Sequence, residues 1–170
     1  MAISMFRASV PVFQRGLANL EHVLDKAATH AAERRIDPPV LLSARLAPDM
    51  LPLTRQVQIA TDHAKNAPAR LAGATPPSFE DNETDFVQLK QRLAKTREYL
   101  ATLQPAQIDG SEERDIVLQI AGREMKFKGL DYLLGFAVPN FYFHYTTAYA
   151  ILRHNGVPVG KADFIMGAQR

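Results

Sequence analysis

Apolar residues recur every three or four positions over most of the chain, and that period predicts its elements. Met5, Ala8, Val12, Phe13, Leu17, Leu20, Val23, Leu24 and Ala27 form one stripe, which predicts an amphipathic helix from Met5 towards Glu33. Pro11 falls inside the stripe. Because Met5 and Ala8 already keep the period, the proline is expected to kink this helix rather than to open it behind a Ser9 cap. Asp37-Pro38-Pro39 ends the element and starts a short helical piece over residues 40–46, and Asp49 is placed to cap the next helix. A second long helix is expected over residues 51–71, with Leu53, Val57, Ala60, Ala64, Ala67 and Leu71 on one face; the small side chains among them allow close approach of a neighbour. Pro68 should bend its last turn and Gly73 should end it. After a polar, proline-rich loop, a third helix is predicted over residues 82–103. Phe86, Leu89, Leu93, Leu100 and Leu103 turn inward, and Lys90, Arg92, Lys95 and Arg97 turn outward as a solvated face.

Between Asp115 and Lys128 the period drops to two. Ile116, Leu118 and Ile120 alternate with Val117 and Gln119, Gly122-Arg123 supplies a turn, and Met125 and Phe127 continue the alternation. A lone hairpin is marginal in water, so its apolar face is expected on the helices. The fourth helix spans residues 130–154, kinked at Pro139 and stopped by Asn155-Gly156, and residues 157–170 read as a lightly packed tail. Within this helix, Asn140-Phe141-Tyr142-Phe143-His144-Tyr145 points all the way round the axis at about 100° per residue, which predicts burial on every side. The expected fold is mainly α: a four-helix bundle with a β-hairpin inserted before the last helix, one domain over residues 1–170.

Composition narrows the function classes. A hydrophobic fraction of 46% with 22% charged residues is that of an ordinary globule rather than a disordered chain. The net charge of +2, without a basic run interleaved with aromatics, gives no reason to expect nucleic acid as a partner. Cysteine is absent, which removes disulfides, thiolate metal sites and a cysteine nucleophile. No apolar run approaches the roughly 18 residues of a membrane span, and the amino terminus lacks the pattern of a signal peptide. A cytoplasmic protein is expected.

Three separated motifs carry a family resemblance. Ser4-Met5-Phe6 with Ala8-Ser9-Val10-Pro11-Val12-Phe13, then Ala44-Arg45-Leu46-Ala47-Pro48-Asp49-Met50, then Pro139-Asn140-Phe141-Tyr142-Phe143-His144 with Leu152-Arg153-His154-Asn155-Gly156 resemble a bacterial and fungal family of unknown function. That family lies within the DinB/YfiT-like superfamily, whose members are classed as metal-dependent. The resemblance implies the DinB-like bundle, frequent dimerisation, and a metal held by one His of the second helix and a His-x-x-x-His pair of the fourth. Here the matching second-helix position is Gln58, the first His of the pair is His144, and the second is Ala148. His144 is then a remnant ligand and no metal cofactor is expected, since a transition metal wants about three such side chains. Asp62 and His63 are alternative donors.

Other residues have structural readings. His144 is expected to be a buried imidazole bonded to Gln58, Asn140 or Thr147. His22 and His30 read as surface residues, and His154 suits the dipole at a helix end. Of Arg45 and Asp49, at i,i+4 spacing, at least one is expected to be substantially buried and paired, in a structural role. No Gly-x-Ser-x-Gly elbow or phosphate-binding glycine loop appears. The expected function is a dimeric, small-molecule-binding or non-enzymatic domain with pocket candidates Gln58, Asp62, Asn140, His144, Tyr145 and Tyr149. The alternative is a metal-dependent or His-based transferase, isomerase or hydrolase. The partner expected beyond a small molecule is a second copy of the chain, because a helix apolar all round needs a cover that a four-helix bundle does not supply.

Overall fold

A computed structural model describes residues 3–120 and 122–168. Helix α1 (Met5–Arg34) begins where the apolar stripe begins, with the Ser4 hydroxyl accepting from Arg7 N at 3.3 Å. Ser9 is not the cap: it lies within the helix, its hydroxyl donating to Met5 O at 2.7 Å, and Pro11 is accommodated in the interior. Helix α2 (Pro38–Leu42) is shorter than expected, and α3 (Leu53–Leu71) starts behind Pro52 without a side-chain cap, so Asp49 has no capping role. The burial and pairing expected of Arg45 or Asp49 is not found either. Both are exposed, and Arg45 Nη1 donates to Met50 O instead. Gly73, at φ +73°, takes the left-handed position that ends α3, with Ala74 N on Ala69 O and Gly73 N on Arg70 O, both at 2.9 Å.

Helix α4 (Phe86–Thr102) starts later than the apolar period suggests, because Asp85 caps it by accepting from Gln88 N at 2.7 Å. A short α5 (Pro105–Ile108) leads to strands β1 (Asp115–Ile120) and β2 (Arg123–Lys128), which pair antiparallel with Ile116 opposite Phe127 and Leu118 opposite Met125. Ile120 pairs with Arg123, so Arg123 belongs to β2 and not to the expected turn, while Gly122 takes φ +77° between the strands. Ile116 and Leu118 of β1 are buried, but Met125 of β2 is exposed, so the expected apolar face lies on the helices only in part.

The last long helix is α6 (Gly129–Asp131), a π-helical turn (Tyr132–Ala137) and α7 (Val138–His154), with no break between them. Pro139 has no N–H for the carbonyl four residues back and its ring crowds that carbonyl, and the widened π turn directly before it relieves the conflict. Asn155 and Gly156 (φ +83°) stop the helix. A final α8 (Lys161–Met166) completes the described chain.

The core is formed by the inward faces of α1, α3, α4 and α7, with Leu17, Leu20, Leu53, Ala64, Leu93 and Ile151 among its fully buried members. Gly16 permits the closest approach of α1 to α7: a Cβ there would lie 2.5 Å from the Phe141 ring, which packs edge-on against Phe13 at 5.2 Å. Two expectations fail. First, α7 is not buried all round, because Tyr142 is 37% and Phe143 57% exposed, while Phe141 and Tyr145 are inside. Second, the described part of the tail, residues 157–168, docks on α1 and α7. Val157, Val159 and Asp163 are buried, the Phe164 ring stacks on Tyr145 at 4.0 Å, and Tyr145 Oη donates to Phe164 O at 2.6 Å. Asn19 Nδ2 meets the carbonyls of Phe164 and Ile165, and Asp163 pairs with His22 and Lys26 on α1. His30, read as a surface residue, is only 8% exposed. Among the described residues, no helix is long and apolar enough to cross a membrane.

Candidate functional site

Besides its core face, α3 carries a second stripe at helical spacing: Ile59, Asp62, His63, Asn66 and Arg70. Leu118, Gln119 and Ile120 of β1 lie over it, and Tyr132, Phe136 and Asn140 of the π turn and early α7 close the far side. They line a cleft, open to solvent, of about 380 Å³. The aromatic wall is continuous: Tyr132 stacks on Phe136 at 6.0 Å, and the Phe136 ring meets His63 edge-on at 5.7 Å. Arg70 Nη1 donates to Tyr132 Oη at 3.1 Å, and Asn140 Nδ2 donates to Phe136 O at 2.7 Å. The π turn thus places two cavity rings, one of them the partner of Arg70, on one side, which a continuous α-helix with a proline at position 139 could not do in the same register.

Behind His63 stands His144, the two rings nearly parallel with centroids 6.0 Å apart. His144 Nδ1 lies 2.7 Å from Gln56 Oε1, and Gln56 Nε2 donates to Leu51 O at 3.0 Å. That second bond orients the amide, so Gln56 offers His144 an acceptor and the proton must sit on Nδ1. Nε2 keeps its lone pair. Burial pushes the His144 pKa below its ordinary value. His63 is pushed down to about 4, by burial first and by His144 next, with Asp62 opposing. Both imidazoles are therefore neutral near pH 7.

Residues 5–165 match the family described as Domain of unknown function (DUF1993). The chain belongs to that family. A crystal structure of a DinB family member protein from Shewanella denitrificans is similar to this DUF1993 chain at 40% identity, with a TM-score of 0.84, covering 94% of this chain and 90% of that one. The DinB-like bundle and the resemblance read from the motifs are thereby shown. Among curated proteins, none matches.

The DUF1993 chain brings together only some of the expected pocket residues. Asp62 and Asn140 line the cavity and His144 backs it through His63. Gln58 is buried elsewhere, donating to Glu83 Oε2 at 2.7 Å and accepting from Arg55 Nη1 at 2.7 Å; the partner of His144 is Gln56, two residues earlier. Tyr145 and Tyr149 pack on Phe164 of α8, Tyr149 edge-on at 5.7 Å. Burial raises the Tyr145 phenol well above its ordinary pKa. Gln56, Arg70, Tyr132 and Phe136 were not singled out from the sequence, and His63 only as a donor. The spacing of 59, 63, 66 and 70 was the available signal, hidden beside a stronger apolar stripe.

The superfamily's metal can be tested against these donors. His144 offers one donor atom, Nε2, but Gln58 is committed to Glu83 and Arg55, and buried Ala148 has no donor atom. Among the described residues no three His, Cys, Asp or Glu side chains are grouped to hold an ion. The residues present do not fit a three-ligand transition-metal site.

Arg92 corrects a further expectation. It is not on the solvated face: it is 4% exposed and threads between α3 and the loop before α4. Nε donates to Thr61 Oγ1 at 2.6 Å, Nη2 pairs with Asp62 at 2.9 Å, and Nη1 meets Glu83 at 2.9 Å, Asp81 at 3.0 Å and Glu80 O at 2.9 Å. Phe79 lies under three cations, Lys65, Arg92 and Lys95, with Lys95 Nζ 4.3 Å from its centroid. This network ties the 74–85 loop to α3 and holds Asp62 from behind the cavity.

Proposed function

We propose that this DUF1993 protein is a small-molecule-binding bundle acting as a homodimer, with its ligand in the cavity between α3, β1 and the π turn. The observation that carries the reading is the convergence of a neutral imidazole, a guanidinium and three amides on an aromatic-walled cavity of about 380 Å³. Ligand sites are typically apolar clefts of about 300–1,000 Å³ with a few placed polar groups, and π turns frequently mark functional positions. The trough beside Phe79 is larger, about 500 Å³, but its one buried cation, Arg92, is already spent on structural carboxylates. In this reading the metal site is degenerate and His144 is its remnant.

Ligand-observed NMR with a fragment library tests the site. Binders should be found, and their signals should be lost in an Ile59→Trp variant that fills the cavity and melts normally. Binders unaffected by Ile59→Trp would refute the site.

The dimer rests on the outward face of α7. Tyr142 and Phe143, with Leu46, Thr146, Thr147 and Ala150, line an apolar depression of about 410 Å³ that α8 leaves open. Tyr and Phe are enriched at subunit interfaces, and a second copy offers the same rings to this face across a two-fold axis. Light scattering at micromolar concentration should give twice the chain mass of 18.9 kDa, falling to a single mass in Phe143→Asp. A wild-type monomer refutes it.

A second reading, a histidine-dependent transferase, isomerase or hydrolase, is favoured by one observation. Gln56 locks His144 with Nε2 unprotonated, as a general base requires. It is the weaker reading, because His144 does not line the cavity.

A further inference from the structure

We infer that the cavity takes a small organic monocarboxylate, its anionic group held by the Arg70 guanidinium and its apolar body by Ile59, Tyr132 and Phe136. The inference rests on the ligand-binding reading above and names the chemistry of that ligand. The cavity's charges carry it. Asp62 and Arg70 are the charged groups in the lining. Asp62 is neutralised from outside the cavity, its Oδ1 taking Arg92 Nη2 at 2.9 Å and Lys65 Nζ at 3.1 Å. Arg70 has no such partner. Its side chain makes one hydrogen bond, to the neutral phenol of Tyr132, and among the described residues no carboxylate lies within ion-pairing distance. Arg55, Arg92 and Arg97, by contrast, each face a carboxylate, Asp81, Glu83 and Glu21 among them.

A cation in the last turn of α3 suits the helix dipole, which accounts for a basic residue at position 70. The dipole does not account for a guanidinium fastened across to the π turn at a cavity wall, where solvent is partly excluded. A planar fork with unused N–H donors matches a carboxylate, and pairing there is stronger than in water. Charge count selects a monoanion. His63 is neutral at pH 7, so the cavity offers one uncompensated positive charge, and a phosphate dianion would leave one negative charge without a partner. Asn66, Gln119 and Asn140 supply neutral donors and acceptors around that charge.

The test uses two pairs of probes that differ in charge and little in shape: benzoate with benzamide, and hexanoate with hexanamide. Each is titrated into the isotope-labelled full chain while the His63 ring signals are followed by NMR. At least one carboxylate should shift those signals saturably, and its amide should bind about tenfold more weakly or worse. Arg70→Gln should remove that preference and leave the amide's affinity unchanged, and Arg70→Lys should restore part of it. Equal binding of acid and amide, or a preference that survives Arg70→Gln, would overturn the carboxylate while leaving the cavity as a binding site. Displacement of the carboxylate by equimolar inorganic phosphate would overturn the choice of a monoanion. No shift with any probe at millimolar concentration would overturn the binding site and the carboxylate together.

Discussion

Replacing Arg92 with methionine separates a solvated surface charge from a buried hub. Methionine keeps much of the side-chain volume and the helix propensity, so the change isolates the guanidinium. The structure says what is left behind. Asp62 keeps Lys65 at 3.1 Å and Asp81 keeps Arg55, but Glu83, whose side chain is 8% exposed, keeps only the amide of Gln58. Stranding one member of a buried ionic cluster typically costs about 3–5 kcal/mol, against a usual total stability of about 5–15. An exposed pair would cost under about 1 kcal/mol. For a chain of this length the larger figure corresponds to a melting temperature lowered by roughly 6–20 °C. Urea unfolding followed by circular dichroism gives the free energy directly. A double-mutant cycle with Glu83→Gln locates the cost, since removing the stranded charge should return about 1–2 kcal/mol. The reasoning is refuted if Arg92→Met shifts stability by less than about 1 kcal/mol, the value for a solvated face.

His63 makes stability depend on pH. Its folded pKa of about 4 lies below the ordinary 6.5, so the unfolded chain takes up the proton first as pH falls. Stability from this group is complete above about pH 6.5 and lost between there and pH 4, by at most about 3 kcal/mol, and His63→Gln should flatten that part of the urea-derived profile; parallel profiles would count against it. Gly16→Ala should cost about 1–3 kcal/mol, because the new methyl meets a Phe141 ring that Phe13 and full burial hold in place, and Phe141→Leu in the same chain should recover part of the loss. A normal melting curve for Gly16→Ala alone would show that α1 and α7 are not so closely packed. Elemental analysis of protein purified without a metal-affinity step should find substoichiometric transition metal, and one equivalent of zinc, nickel or iron would reverse the reading of His144 as a remnant.

What could be read along the chain was what repeats along it. The core faces of α1, α3 and α4, the two-residue alternation of the hairpin, and the stops at Gly73 and Asn155-Gly156 all come from local period and backbone preference, and each is where the periodicity predicts it. The motifs around Pro11, Pro48 and Pro139 carried the family as well. What could not be read depended on partners distant in sequence. Arg92 looks like any outward cation until Asp62, thirty positions away, and the loop carboxylates close round it. The exposure of Tyr142 and Phe143 was equally invisible, because where α8 docks decides which side of an all-round apolar helix is covered. Gln56 rather than Gln58 meets His144 because the rotation of α3 against α7 is a packing outcome, set by small side chains such as Ala60 and Ala64 and not by any residue's own preference. The cavity is the extreme case. Its walls come from α3, β1 and the π turn, and only their assembly turns Arg70 from a helix-end cation into a guanidinium lining a cleft.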